Sequence, residues 1–93
     1  MSPEEEVQRG GRAQRVLGDE MYKEAFDTIQ ARIVGLLAQS ETVGEQRERL
    51  NALLVAHNKV KQYMEQVVIG GKMAAEQIEH DRTLKERMLR MVR

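Results

Sequence analysis

With 93 residues the chain is long enough for at most one domain, and its 15 basic and 15 acidic residues leave no net charge. A chain that binds nucleic acid through its whole surface is usually strongly basic, so the charge argues against that role. The absence of cysteine excludes disulfides, thiolate metal sites and a thiol nucleophile. No apolar run approaches the roughly 20 residues of a membrane span, and the acidic start is unlike a secretory signal, so we expect a cytoplasmic protein.

The first 18 residues are predicted to form a flexible arm with one short helical turn. Ser2 is typical of a helix start, but Gly10-Gly11 interrupts the segment before two turns are complete. Residues 12–17 can form one turn, and Asp19 is placed to cap the next helix. The pattern therefore divides the chain into an arm, residues 1–18, and a helical hairpin domain, residues 19–93.

Two helices are predicted in the hairpin domain. Apolar side chains recur every three or four residues from Glu20 to Ala38 and define the first helix. After a short connector, Thr42 with Glu45 forms a capping-box pattern for a second helix from about Val43 to Arg90. The expected fold class is all-α, an antiparallel helical hairpin whose long second helix either kinks or continues at Gly70-Gly71.

The second helix carries an apolar stripe that the first helix is too short to cover. At about 1.5 Å per residue the second helix would be roughly 70 Å long, against about 30 Å for the first. Either the excess folds back into a three-helix bundle, or a second copy buries it. A chain of this size hides only roughly 60 to 65% of its unfolded surface, which favours two hairpins pairing into a helix bundle. The predicted oligomer-interface residues are Leu50, Leu53, Leu54, Val60, Met64, Val67, Val68, Gly71, Ala74, Ala75 and Ile78.

The sequence contains no arrangement of side chains typical of catalysis. His57 lies on the apolar stripe, where a hydrogen-bonded core or interface histidine is the favoured interpretation over a ligand role. His80 lies near Glu76 and Glu79, but Gln77 stands where the Glu-x-x-His spacing of a di-iron bundle needs glutamate. Neither a phosphate-binding loop nor a serine elbow is present. We therefore predict no enzyme, no cofactor and no metal, with a metal-storing hairpin as an alternative.

The end of the chain is a separate basic, amphipathic segment. Residues 82–93 contain five bases against one acid, Glu86. Such a segment could bind an acidic protein surface, nucleic acid or a membrane interface, or its cations could simply suit the carboxyl end of the helix dipole. The candidate partner or nucleic-acid contacts are Arg82, Lys85, Arg87, Arg90 and Arg93.

Two segments carry a resemblance to a known class of proteins. The run RAQRVLGDEMYKEAFDTIQARI from Arg12 to Ile33, together with GGKMAAEQI from Gly70 to Ile78, resembles small proteins encoded by tailed bacteriophages and prophages. The similarity lies in a short basic turn, a break, a helix with an E-A-F core, a charged linker and a long helix with G-K-x-A. It implies a gene among virion-assembly or DNA-packaging genes, acting in the bacterial host cytoplasm or associated with the virion.

The function that this resemblance implies is structural. It points to a non-enzymatic, self-associating assembly factor that docks on a phage capsid, portal or terminase protein. One alternative is a small packaging subunit that binds nucleic acid through the basic tail, which predicts affinity that falls steeply with salt. Another is a small helical inhibitor of a host protein.

Overall fold

A computed structural model describes residues 1–92 and contains three α-helices and no strand within that range. The helices are α1 (Pro3–Gly18), α2 (Glu20–Leu37) and α3 (Gly44–Val92). The all-α fold class is confirmed, and the predicted ends of the two hairpin helices are correct to within two residues. Because α3 runs unbroken through Gly70-Gly71, the molecule is elongated, with a longest dimension of 77 Å.

The predicted flexible arm is wrong, because residues 3–18 form one regular helix. The Ser2 hydroxyl accepts a hydrogen bond from the Glu5 amide at 3.2 Å, as a helix cap does. The two glycines, which suggested a break, lie inside α1, and Gly10 is buried. Their cost in helix propensity is about 2 kcal/mol relative to alanine. The packing of α1 against α3 offsets this cost. A prediction from local helix propensity alone does not include that packing.

Asp19 separates α1 from α2 by a single extended residue. Its side-chain oxygen Oδ1 accepts a hydrogen bond from the Tyr22 amide at 2.9 Å, so Asp19 caps α2 as predicted. One extended residue between two helices changes the direction of the chain, and this sets the course of α1 relative to the hairpin.

The connector between α2 and α3 is closed by an arginine. The Arg47 Nη1 atom donates to the carbonyl oxygens of Leu37, at 2.9 Å, and Thr42, at 3.2 Å. Gly44 begins α3 with a φ of 60°, a backbone conformation that glycine adopts more readily than other residues. The expected Thr42–Glu45 capping box is replaced by this arrangement, since a left-handed residue now lies between the two positions.

The hairpin is held together where α2 meets the first half of α3. Residue 26 contacts residue 57 and residue 37 contacts residue 47, so the two helices run antiparallel. The Phe26 and His57 rings stack with their centroids 4.0 Å apart, and the Lys61 ammonium lies 5.0 Å from the Phe26 centroid. Phe26 and Ile33 are the buried residues of α2. The core of the hairpin is therefore narrow, one row of side chains deep.

Candidate protein interface

Gly10 of α1 and Gly71 of α3 bring the backbones of the two helices into close contact. A Cβ atom built on Gly10 would lie 2.9 Å from the Gly71 Cα and 3.2 Å from the Val67 carbonyl oxygen. A Cβ built on Gly71 would lie 2.9 Å from the Gly10 Cα. Ala13 and Ala74, each three residues farther on, are also buried. Four small residues therefore allow the two backbones to touch.

Both ends of α1 lie beside the part of α3 that precedes Gly71. At its start, Met1 lines a groove together with Tyr63, and the Arg9 Nη2 atom donates to the Tyr63 hydroxyl at 3.1 Å. Near its end, Leu17 lines a groove together with Glu65. We conclude that α1 crosses α3 at the glycine pair and covers one stretch of its surface.

The predicted interface residues fall into three groups. Gly71 is buried against Gly10 of the same chain, so it makes an intramolecular contact where we expected a contact between copies, and Ala74 is buried within the single chain as well. Six are half-buried: Leu50, Leu54, Met64, Val67, Val68 and Ile78. Three are exposed: Leu53, Val60 and Ala75. For the nine residues outside the glycine contact, a role between copies stays a prediction.

Two rows of residues with alternating spacings of four and three organise this surface. The α3 seam consists of Leu53, His57, Val60, Met64, Val67, Gly71, Ala74 and Ile78. The α2 seam consists of Tyr22, Phe26, Ile29, Ile33 and Leu36. A strict seven-residue repeat of this kind is the pattern by which helices pack side by side in coiled coils and bundles. The seams, more than any pocket, are the feature with a functional implication.

Three enclosed polar side chains lie in the seams or beside them, and they differ in whether they have a hydrogen-bond partner. His57 has the hydrogen-bond partner that a core histidine needs, since its Nε2 atom lies 3.0 Å from the Phe26 carbonyl oxygen. The Tyr22 hydroxyl and the Gln30 Oε1 atom are enclosed and have no partner within residues 1–92. Burial, and secondarily the negative charge of Glu65, raises the pKa of Tyr22. The enclosed hydroxyl is thus held in its neutral form.

The basic end of α3 does not form a single basic face. Arg82 is paired within its own helix, with Nη2 2.7 Å from a Glu79 carboxylate oxygen and Nη1 3.2 Å from one of Glu86. Its hydrogen bond and positive charge lower the pKa of Glu79. Lys85 and Arg87 are exposed but point to opposite sides of the helix, because two residues correspond to a rotation of about 200°. Arg90 is exposed as well, and Arg93 lies outside the described residues.

Other candidate sites can be located on the described part of the chain. His80 is exposed on α3, and residues 1–92 hold no group of three or more His, Asp or Glu side chains placed to bind a metal ion. In the same range, no helix combines the length and apolar character that crossing a bilayer requires. The grooves beside α1 are shallow and lined by residues of both α1 and α3, including Val7, Gln14 and Val68.

Sequence reasoning missed the α1 side of the glycine contact. The signal was present, because Gly10 and Ala13 repeat the three-residue spacing of Gly71 and Ala74, but it is a weak one in a single sequence. Comparisons of the chain with models of protein families, with curated proteins and with solved structures find no significant match.

Proposed function

We propose that this chain is a non-enzymatic phage assembly factor that self-associates and then docks on a capsid, portal or terminase protein. The observation that carries the proposal is the amount of surface that one chain leaves exposed. A compact monomer of this mass exposes about 5,500 Å². This chain exposes 7563 Å², an excess of about 2,000 Å² over that estimate. An excess of this size is comparable to the total area buried in a stable protein interface.

The exposed surface is also apolar in the places where an interface needs it. Within residues 1–92 the buried apolar residues are Ala13, Phe26, Ile33 and Ala74, and none of the large side chains is fully enclosed. Large apolar side chains of α3 such as Leu53 and Val60 are more than half exposed. Side chains of this kind gain about 1.5 to 3 kcal/mol each when they are fully buried. A second protein surface is the natural means of burying them.

The phage assignment rests on the resemblance of residues 12–33 and 70–78 to small proteins of tailed phages and prophages. Assembly factors of this kind work through surfaces, and an elongated hairpin with apolar seams suits that task. Cytoplasmic or virion-associated localisation belongs to the same proposal.

Mass measurement in solution tests the first half of the proposal. Sedimentation equilibrium at micromolar concentration should give a multiple of the 10.7 kDa chain mass. A 10.7 kDa species that persists at about 100 μM would contradict self-association. The second half is tested with purified capsid, portal and terminase proteins encoded near the gene. One of them should bind the oligomer with defined stoichiometry, and binding to none of them would contradict the docking role.

A further inference from the structure

Covered and open positions alternate along part of each seam, from residue 26 to 36 in α2 and from residue 53 to 64 in α3. In α2, Phe26 and Ile33 are buried at 8% and 4% exposure, whereas Ile29 and Leu36 are both 42% exposed. In α3, His57 and Met64 are half-buried, whereas Leu53 and Val60 are exposed at 53% and 58%. Within these two stretches, every second seam position is therefore left exposed. We call Ile29, Leu36, Leu53 and Val60 the open face.

The four residues of the open face lie on one side of the hairpin. Ile29 follows Phe26 by three positions, and Val60 follows His57 by three, so each is rotated by about 60° in the same sense from a contact residue. The sense of rotation is taken about each helix along its own chain direction. When two antiparallel helices face each other, equal rotations of this kind turn both side chains toward the same side of the two-helix layer. Leu36 lies seven residues after Ile29 in α2, and Leu53 lies seven residues before Val60 in α3, so each extends its row on the same side.

We infer that the open face is the surface on which a second copy of this chain docks, so that two α2–α3 layers form a four-helix bundle. The inference rests on the proposed self-association and names the surface that it uses. In a four-helix bundle, both the covered and the open positions of each seam point toward a shared core. The bundle therefore accounts for the apolar residues at the open positions, which a single hairpin leaves exposed. The four central side chains are all apolar, as in the core of an interface.

The opposite end of the α3 seam shows that a helix can fill this surface. Ala74 continues the row of Leu53 and Val60 at seven-residue intervals, and it is buried next to the contact between Gly71 and α1 of the same chain. Nearer the start of α3, α2 covers His57, and the row of Leu53 and Val60 stays exposed. The chain as a whole exposes about 2,000 Å² more than a compact monomer of its mass, and a stable dimer buries a comparable total area. A second copy, which presents the same apolar rows, therefore matches the open face in chemistry.

Two valines of α3 provide a matched test. Val60 is on the open face and is 58% exposed, whereas Val55 is 53% exposed and lies about 140° away around the helix. Val60→Asp should raise the dissociation constant of the dimer about 100-fold or more, because a carboxylate would be buried without a partner. Val55→Asp should leave the dissociation constant within about threefold of that of the natural chain. Sedimentation equilibrium and circular dichroism on both variants measure association and folding.

Cysteine labelling tests the same surface without a disruptive charge, because the chain has no cysteine of its own. In one isolated chain, Val60→Cys and Val55→Cys would react with a maleimide at similar rates, since the two positions are almost equally exposed. In the proposed dimer the Val60→Cys thiol should react at least about tenfold more slowly, and dilution should abolish the difference.

The outcomes separate this inference from the proposed function. If the natural chain remains a monomer at about 100 μM, both are wrong. If the natural chain is an oligomer, but the two thiols react equally and Val60→Asp stays assembled, then self-association holds through another face and the inference is wrong. If only Val55 is protected, the same conclusion follows. Protection confined to Val60 supports both.

Discussion

Replacing Gly10 with alanine should weaken the docking of α1 on α3. The added methyl group would lie 2.9 Å from the Gly71 Cα and 3.2 Å from the Val67 carbonyl oxygen. Carbon atoms in good contact are about 3.5 to 4.0 Å apart, so α1 would have to move by roughly 0.6 to 1 Å. Both obstructing atoms belong to the backbone of a long helix, which cannot turn aside as a flexible side chain can.

The expected magnitude is a balance of two terms. Forcing extra volume into a close contact typically costs about 1 to 3 kcal/mol. Alanine in place of glycine inside a helix gains about 1 kcal/mol in propensity. Gly11→Ala supplies the matched control, because a Cβ at Gly11 meets nothing within 4 Å and brings the propensity gain alone. The difference between the two variants isolates the contact, and we expect Gly10→Ala to be less stable by about 1 to 3 kcal/mol.

Urea unfolding measures the free-energy difference, and amide hydrogen exchange locates it. In Gly10→Ala the amides of α1 should exchange faster while those of α2 keep their protection, since Phe26 and His57 hold α2 independently of the glycine contact. Gly71→Ala and its neighbour Gly70→Ala should repeat the contrast from the other helix. If Gly10→Ala and Gly11→Ala differ by less than about 0.5 kcal/mol, the backbone contact does not hold α1 in place.

The connector and the enclosed tyrosine give two more tests. Arg47→Ala should lower the free energy of unfolding by about 1 kcal/mol or more, because it removes hydrogen bonds to two carbonyl oxygens. Arg49→Ala, which loses only an exposed ion pair with Glu45, should lower it by less than about 0.5 kcal/mol. Equal urea midpoints for these two variants would contradict the role given to Arg47. For Tyr22, burial raises the pKa above its ordinary 10.0, so the stability that it contributes is complete below pH 10 and is lost as the pH rises through the folded-state pKa. Tyr22→Phe should therefore reduce the loss of stability between about pH 9 and pH 11, and an unchanged pH dependence of unfolding would show that Tyr22 is not the group responsible.

The hairpin was predictable from sequence because its signals are local. Apolar spacing defined α2 and α3, Asp19 capped α2 as expected, and the short connector implied antiparallel neighbours. The break at Gly70-Gly71 could not be decided in this way, because the propensity cost of two glycines is visible in the sequence and the packing that offsets it is not. In the structure α3 continues through both residues, with Gly71 against α1.

The error over α1 has the same physical origin. Gly10-Gly11 marks a weak helix when the segment is considered alone, and residues 1–18 offer few apolar side chains to bury. Stability of this helix comes from a contact between residues 61 positions apart in the chain, and only the folded arrangement brings them together. The hydrogen bond from Arg9 to Tyr63 likewise joins two side chains that no local pattern connects. Local rules therefore identified helix-forming residues and failed where a long-range contact decided the outcome.

The positions of α1 and α2 along α3 suggest a role for α1 in controlling how copies of the chain associate. Without α1, the second half of the α3 seam would be as open as Leu53 and Val60, and several copies could associate along it in different registers. With α1 crossing at Gly71, that half is occupied, and the uncovered part of the seam ends where α1 begins. In the proposed dimer, α1 would limit a second copy to the α2–α3 layer and would thereby fix the register of the bundle. Loosening α1 by Gly10→Ala should for this reason broaden the distribution of oligomers, whereas Gly11→Ala should leave it unchanged, and identical distributions would refute this role for α1.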